Sequence, residues 1–308
     1  MLSRTFSLFD TVNTVTAQTE DESVLGDMLT WCHRCELLFS RFDPASELFK
    51  LNHAQGAPVE VDEELARLIE AALEYCRETD GLFDVTMGSV TRLWDLKNQI
   101  VPAREDVREA LQHVDYRTVE VNGNTVRLKD PLACLDLGGI AKGYIADGIL
   151  ALLRERGVNH ALVNLGGNVA VMGGKPEGGQ WRVGIRKPLP SSMVPTPTPF
   201  AAVALSDGSV VTSGVYERGF QQDGKLYHHI LNPKTGFPAQ TDLLSATVIT
   251  PTSLDADGYT TALIIMGTDK ALAFAENHPT LEAVFIASEG DVLATSGIGK
   301  TIPLELVG

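Results

Sequence analysis

The sequence predicts an α+β fold of mixed and antiparallel sheets with interspersed helices, and not a Rossmann-type doubly wound sheet. Three observations carry this. Strand-like and helix-like segments are mixed along the chain without the regular β-α-β repeat of a parallel sheet. Asn122-Gly123 and Asp223-Gly224 each separate two strand-like runs by a tight turn, which makes an antiparallel hairpin. The apolar run Ala133 to Leu137 ends in Gly138-Gly139 and leads into a helical pattern, yet it lacks the G-x-G-x-x-G spacing and the G-K-S/T phosphate loop.

The elements follow in order. Residues 4 to 17 alternate like a strand, and Asp21 to Phe39 carries Val24, Met28, Trp31, Cys35 and Leu38 at helical spacing. Ser46 caps a short helix through Leu51. Asp62 and Glu63-Glu64 open an amphipathic helix through Cys76, with acid in the first turn where the helix dipole favours it. A further helix spans Arg104 to His113, then comes the Val119 to Val126 hairpin with its Asn-Gly turn. After the run 133–137, helical spacing holds from Ile140 to Arg156, where Gly157 caps it. Strands occupy 161–164, 169–172, 181–185, 201–205 and 244–250; helices occupy 254–266 and 270–277; two closing strands flank Glu289-Gly290. The stretch 188–199 is rich in proline and reads as a loop or linker. The whole of 1–308 reads as one domain that could hold two lobes, with 188–199 as a Pro-rich loop within it.

Hydrophobic residues make up 44% of the 308 and charged residues 21%, so the chain can bury a full core. The formal net charge is −15, which excludes nucleic acid or an anionic membrane surface as the main partner. An anionic ligand must then be held by backbone donors, a few basic side chains or a metal ion. The first residues contain no signal-peptide core and no lipid-attachment cysteine, and no apolar run is long enough to span a bilayer; the expectation is a cytoplasmic protein. Cys32 and Cys35 form a lone C-x-x-C within a helical pattern, and buried thiols on an apolar face explain it better than zinc or redox chemistry.

Several side chains carry chemistry. A carboxylate, Asp136, ends an extended run; two glycines bare the backbone; Lys142 follows in the first helical turn. That combination suits a ligand with phosphate and hydroxyl groups, although strand-to-helix glycines also serve as plain turns. Asp257 and Thr261 stand four apart in a helix and share a face, as two hard oxygen donors suited to Mg²⁺. Taken alone, the helix favours the plainer reading of a helix-start Asp and a core-edge Thr. His229 reads equally as a proton handler or a structural histidine, and its neighbour His228 as structural.

Five segments then stand in one order: Asp136-Leu137-Gly138-Gly139-Ile140-Ala141-Lys142-Gly143-Tyr144; Val163-Asn164-Leu165-Gly166-Gly167; Thr212-Ser213-Gly214-Val215-Tyr216-Glu217-Arg218; His228-His229-Ile230-Leu231-Asn232-Pro233-Lys234-Thr235-Gly236-Phe237-Pro238; and Ala256-Asp257-Gly258-Tyr259-Thr260-Thr261-Ala262. With Phe42 to Leu48 and Gly81 to Thr86, this pattern resembles the ApbE family of FAD:protein FMN transferases over roughly residues 5 to 300. The resemblance implies an ApbE-like fold and Mg²⁺-dependent transfer of FMN from FAD to a Ser or Thr hydroxyl of an acceptor flavoprotein, with AMP released. It implies Asp257, Thr261 and the backbone carbonyl of Gly139 as metal ligands, and His229 or Asp257 as the base. It implies flavin-nucleotide contacts from Phe9, Phe42, Leu82, Phe83, Asp84, Asp136, Lys142 and Leu231. Two positions depart from the family: Phe9-Asp10-Thr11 stands where the family often has M-G-T, and Phe42 where it often has Tyr. An aromatic ring there can still stack but has no hydroxyl. The alternatives are an FAD pyrophosphatase yielding FMN and AMP, and a flavin carrier without chemistry.

Overall fold

The computed structural model describes residues 1–187 and 198–307. The prolines of 188–197 lie outside the described residues. The fold is α+β, as expected, and the chain forms two compact units: one from 1–33, 142–217 and 241–308, the other from 34–141 and 218–240.

The first unit is built on an eight-stranded sheet. Its strands are Leu2–Leu8, Thr11–Ala17, Ala161–Leu165, Asn168–Met172, Gly208–Gly214, Leu243–Thr250, Glu282–Ala287 and Val292–Ala294. They lie across the sheet in chain order, every neighbouring pair antiparallel. A second sheet of three strands, Trp181–Ile185, Ala201–Leu205 and Leu304–Leu306, packs Val183, Ile185, Val203 and Leu205 against Val171, Val210, Ile249 and Val284 of the large sheet. These side chains are all apolar, so each sheet presents an apolar face to the other. The helix Ser253–Met266 also belongs to this unit. It is buried over most of its surface, so polar hydrogen bonds help to seat it: Ser209 Oγ on Ser253 Oγ at 3.0 Å and Ser213 Oγ on Thr260 Oγ1 at 3.0 Å.

The expected strand 4–17 is two strands. Phe9 and Asp10 take φ of 58° and 54°, the left-handed pair of a two-residue hairpin turn. No glycine announces this turn. The buried Asn13 side chain holds it by donating to the carbonyls of Leu8 (3.0 Å) and Thr11 (3.3 Å).

In the second unit the helices Glu47–Asn52 and Glu63–Glu78 begin where expected. The Ser46 hydroxyl accepts from Phe49 N, and the Asp62 carboxylate accepts from Glu64 N. The hairpin strands Val119–Asn122 and Thr125–Leu128 pair so that Gly123 and Asn124 are the central turn residues, one position later than the Asn-Gly reading. Gly123 alone has positive φ, +57°, the glycine-first form of a hairpin turn. The run 133–137 is extended but joins no ladder beyond one bridge, Met87 to Cys134. Other groups satisfy its backbone instead. The Asn52 side chain both accepts from Leu135 N (2.7 Å) and donates to Leu135 O (3.0 Å), Ser89 Oγ accepts from Cys134 N (3.0 Å), and Val85 O accepts from Asp136 N (2.8 Å). The helix that follows, Ala141–Glu155, belongs to the first unit from Lys142 onward. Cys32 and Cys35 are both buried on the helix Glu22–Phe39. Among the described residues no helix is long and apolar enough to cross a membrane.

Candidate functional site

In the first unit two distant motifs meet. The helix starting at Ala141 leaves its first backbone N–H groups without partners inside the helix. One of them, Gly143 N, donates to Asp257 Oδ2 at 2.9 Å, across 114 residues of sequence. Gly143 has to be glycine here, because a Cβ would stand 2.3 Å from the Ser253 carbonyl oxygen. Lys142 Nζ lies 3.9 Å from Asp257 Oδ1, too far for a hydrogen bond but close enough to attract. The Asn168 amide favours the ionised carboxylate, although its nitrogen closes no full hydrogen bond. Burial outweighs these three and holds the Asp257 carboxyl above the usual carboxylate range.

Asp257 is thus a buried carboxylate, 3% exposed, that accepts from Gly143 N and faces the Lys142 ammonium at 3.9 Å. A small divalent cation would complete its neutralisation. Thr261 sits one turn further along the same helix and is half-buried. Among the described residues no three His, Cys, Asp or Glu side chains cluster to hold a metal. A cation bound at Asp257 would therefore rely on hydroxyl, backbone, water and ligand oxygens. That donor set suits Mg²⁺, and the residues present fit it.

Asp147 is a residue that sequence reasoning missed. Its two oxygens accept from Ser253 N (2.8 Å) and Leu254 N (2.9 Å), the first amides of the Asp257 helix. Burial pushes its carboxyl up to about 6, with those two amides opposing. The signal was there in outline: an acid inside an apolar helix with no basic residue at i±3 or i±4. A folded pKa of about 6 above the ordinary 3.8 means that the folded state binds the proton more tightly. Its stabilising contribution is present below about 3.8 and lost as pH rises through about 6. Thermal melts of wild type and Asp147→Asn should therefore differ progressively in favour of wild type as pH falls from about 7 to about 5. A gap independent of pH would show that Asp147 does not titrate there.

Phe9 occupies the strained hairpin turn of the first unit and is half-buried. The Gly166-Gly167 turn lies against it, with Gly166 at φ +61° and so close to Thr11 that a Cβ would reach Thr11 Oγ1 at 2.3 Å.

The remaining candidates belong to the second unit. Asp136 accepts from Thr91 Oγ1 (2.8 Å) and Gly138 N (3.0 Å) and pairs with Arg41 Nε at 3.3 Å. Gly139 sits in the turn from Leu137 to Ile140. Phe42 is 69% exposed. Leu82 is half-buried, and Phe83 is buried. Asp84 accepts from Thr86 N, Thr86 Oγ1 and Tyr116 N, so its carboxylate also organises the local chain. Leu231 packs with Met87, Val90 and Val107. His229 N donates to Arg218 O at 3.1 Å, and its Nδ1 lies 3.3 Å from the same carbonyl. With the proton on Nδ1 that carbonyl would accept it, and Nε2 would then be the basic nitrogen. His228 is buried, with Nε2 3.2 Å from Ala239 O, and burial lowers its pKa.

The chain is similar to known proteins over most of its length. Residues 9–285 match the model of the ApbE family. The chain is 37% identical to the FAD:protein FMN transferase of Treponema pallidum, over 91% of this chain and 81% of that protein. It is 35% identical to a protein of the same name from Klebsiella pneumoniae, over 90% and 86%. The crystal structure of the ApbE protein of Thermotoga maritima superposes with a TM-score of 0.86 at 31% identity, covering 96% of this chain and 97% of that one. The apo flavinyl transferase ApbE of Pseudomonas stutzeri gives 0.86 at 27% identity, covering 98% and 96%.

Proposed function

The chain belongs to the ApbE family, and from this premise we propose that it is an FAD:protein FMN transferase. A Ser or Thr hydroxyl of an acceptor flavoprotein attacks the FMN-side phosphorus of FAD. The bond from that phosphorus to the bridging oxygen breaks, AMP leaves, and FMN stays attached through a phosphoester. The observation that carries this reading is the Asp257 carboxylate seated on Gly143 N with Lys142 beside it, which brings Lys142 and Gly143 together with the A-D-x-x-x-T-A motif in one unit.

Asp257 and Thr261, with the carbonyl of Gly139, are the residues we assign to Mg²⁺. When bound, the ion supplies Lewis-acid neutralisation of pyrophosphate charge. Lys142 adds a positive charge at a helix start, where the dipole already favours a phosphate oxygen. Asp136, with Phe9, Phe42, Leu82, Phe83, Asp84 and Leu231, is assigned to the flavin nucleotide. His229 takes the hydroxyl proton at Nε2. Asp257 is the weaker candidate, because a carboxylate shared with a cation is a poor base. Phosphoryl transfer of this kind depends mainly on positioning and charge neutralisation.

The test uses the purified chain with FAD, Mg²⁺ and a lysate of the cells that make it. One AMP should appear per flavin attached, and mass spectrometry should find FMN minus water on a Ser or Thr. FMN supplied in place of FAD should label nothing, because it carries no AMP leaving group. Equal labelling from FMN, or release of FMN and AMP at one rate with and without acceptor, would replace the transferase reading by the pyrophosphatase.

A further inference from the structure

We propose that Arg41 is a positioning residue for FAD, holding Phe42 as a stacking platform for one of the nucleotide's rings. The inference rests on the transferase reading, within which Phe42 and Asp136 belong to the flavin site. Neither the motifs nor the comparisons assign a role to Arg41.

The geometry lies within one unit. The Arg41 guanidinium carbon stands 4.3 Å from the centroid of the Phe42 ring, in cation–π contact. Its Nε is 3.3 Å from Asp136 Oδ2, and the two side chains are only 17% and 21% exposed. Asp136 is itself held by Thr91 Oγ1 and Gly138 N. A chain of contacts therefore runs from the Thr91 hydroxyl through a carboxylate and a guanidinium to an aromatic ring. Phe42 nevertheless remains 69% exposed. One exposed phenylalanine needs no explanation by itself. A ring backed by a half-buried arginine that is locked by its own ion pair is different, because the ring's orientation is fixed before any ligand arrives. Preorganisation of this kind strengthens binding by removing the cost of ordering the side chain. The partner it fits is a flat heteroaromatic ring, and FAD carries two, the isoalloxazine and the adenine. Arginine suits this task better than lysine. Its planar fork can pair with a carboxylate and lie over a ring at once.

Because Arg41 acts through Phe42, its loss should appear in binding and not in the chemical step. The full chain and its Arg41→Met, Arg41→Lys, Phe42→Ala and Arg41→Met/Phe42→Ala variants are titrated with FAD and FMN by flavin fluorescence, and with ADP by competition. KM for FAD and kcat are measured in parallel, with a thermal melt for each variant. Arg41→Met should weaken FAD by roughly tenfold and raise KM equally, with kcat within about threefold. Arg41→Lys should fall between, and the double variant should bind within about twofold of Phe42→Ala alone. A loss confined to FMN or to ADP supports the proposal and identifies the stacked ring. Wild-type FAD affinity in Arg41→Met overturns it, and so does a double variant whose losses multiply. A fall in kcat alone likewise overturns it. If the unaltered chain binds no FAD, the transferase reading fails and this inference falls with it.

Discussion

Asp257→Asn should lower FMN transfer by roughly 10²–10³ at limiting Mg²⁺ while leaving the melting temperature unchanged or higher. The two effects have separate causes. An amide oxygen can still accept from Gly143 N, which Asp257 Oδ2 engages at 2.9 Å, so the seat of the helix on its neighbour is retained. The negative charge that would hold a cation is gone. Losing that charge is not costly to folding. Asp257 is 3% exposed and burial already holds its carboxyl above the ordinary range, so the folded state is relieved of a desolvated ion. Lys142 loses an attraction but is 28% exposed and can turn to water. The assay is transfer rate against Mg²⁺ concentration, beside a melt. Near wild-type turnover at limiting Mg²⁺ would remove Asp257 from the metal site. A melting temperature lower by many degrees would make its role structural.

His229→Ala should lower kcat by roughly 10² with FAD affinity little changed, because a proton handler acts in the transition state. His228→Ala provides the contrast. His228 is buried, points Nε2 at the Ala239 carbonyl and is kept neutral by its surroundings. Its removal should lower the melting temperature and leave the rate per folded molecule close to wild type. His229 instead holds Nδ1 toward the Arg218 carbonyl, and with the proton on Nδ1 the basic role would fall to Nε2. Measuring Kd for FAD, kcat and melting temperature on both variants separates the two histidines. If the rate falls with His228→Ala and not with His229→Ala, the assignment is reversed.

The candidate residues could be listed in advance because the motifs that carry them are local. The i, i+4 spacing of Asp257 and Thr261 puts both on one helix face wherever that helix goes. The helix does form, as Ser253–Met266. The order of the five motifs likewise needed no coordinates. What could not be read were partners far away in sequence. Gly143 as the donor to Asp257, Asp147 as the cap of the Asp257 helix and Arg41 as the link between Phe42 and Asp136 each depend on how separate elements approach. Nothing in the neighbouring residues specifies that approach.

The fold divides in the same way. The sequence by itself determined the helix starts at Ser46 and Asp62 and the hairpin through Asp223-Gly224, but not the central strand Gly208–Gly214 of the large sheet. Caps, turns and a period of two are properties of adjacent residues. Only the tertiary structure decided that 133–137 would lie extended without a ladder, its amides taken by Asn52, Ser89 and Val85. It alone broke 4–17 at Phe9-Asp10, where the side chain of Asn13 holds a turn that the local residues do not favour. For 133–137 the physical reason lies outside the segment. An extended backbone must find hydrogen-bond partners somewhere, and which groups supply them is settled by packing between segments, not by the segment's own pattern.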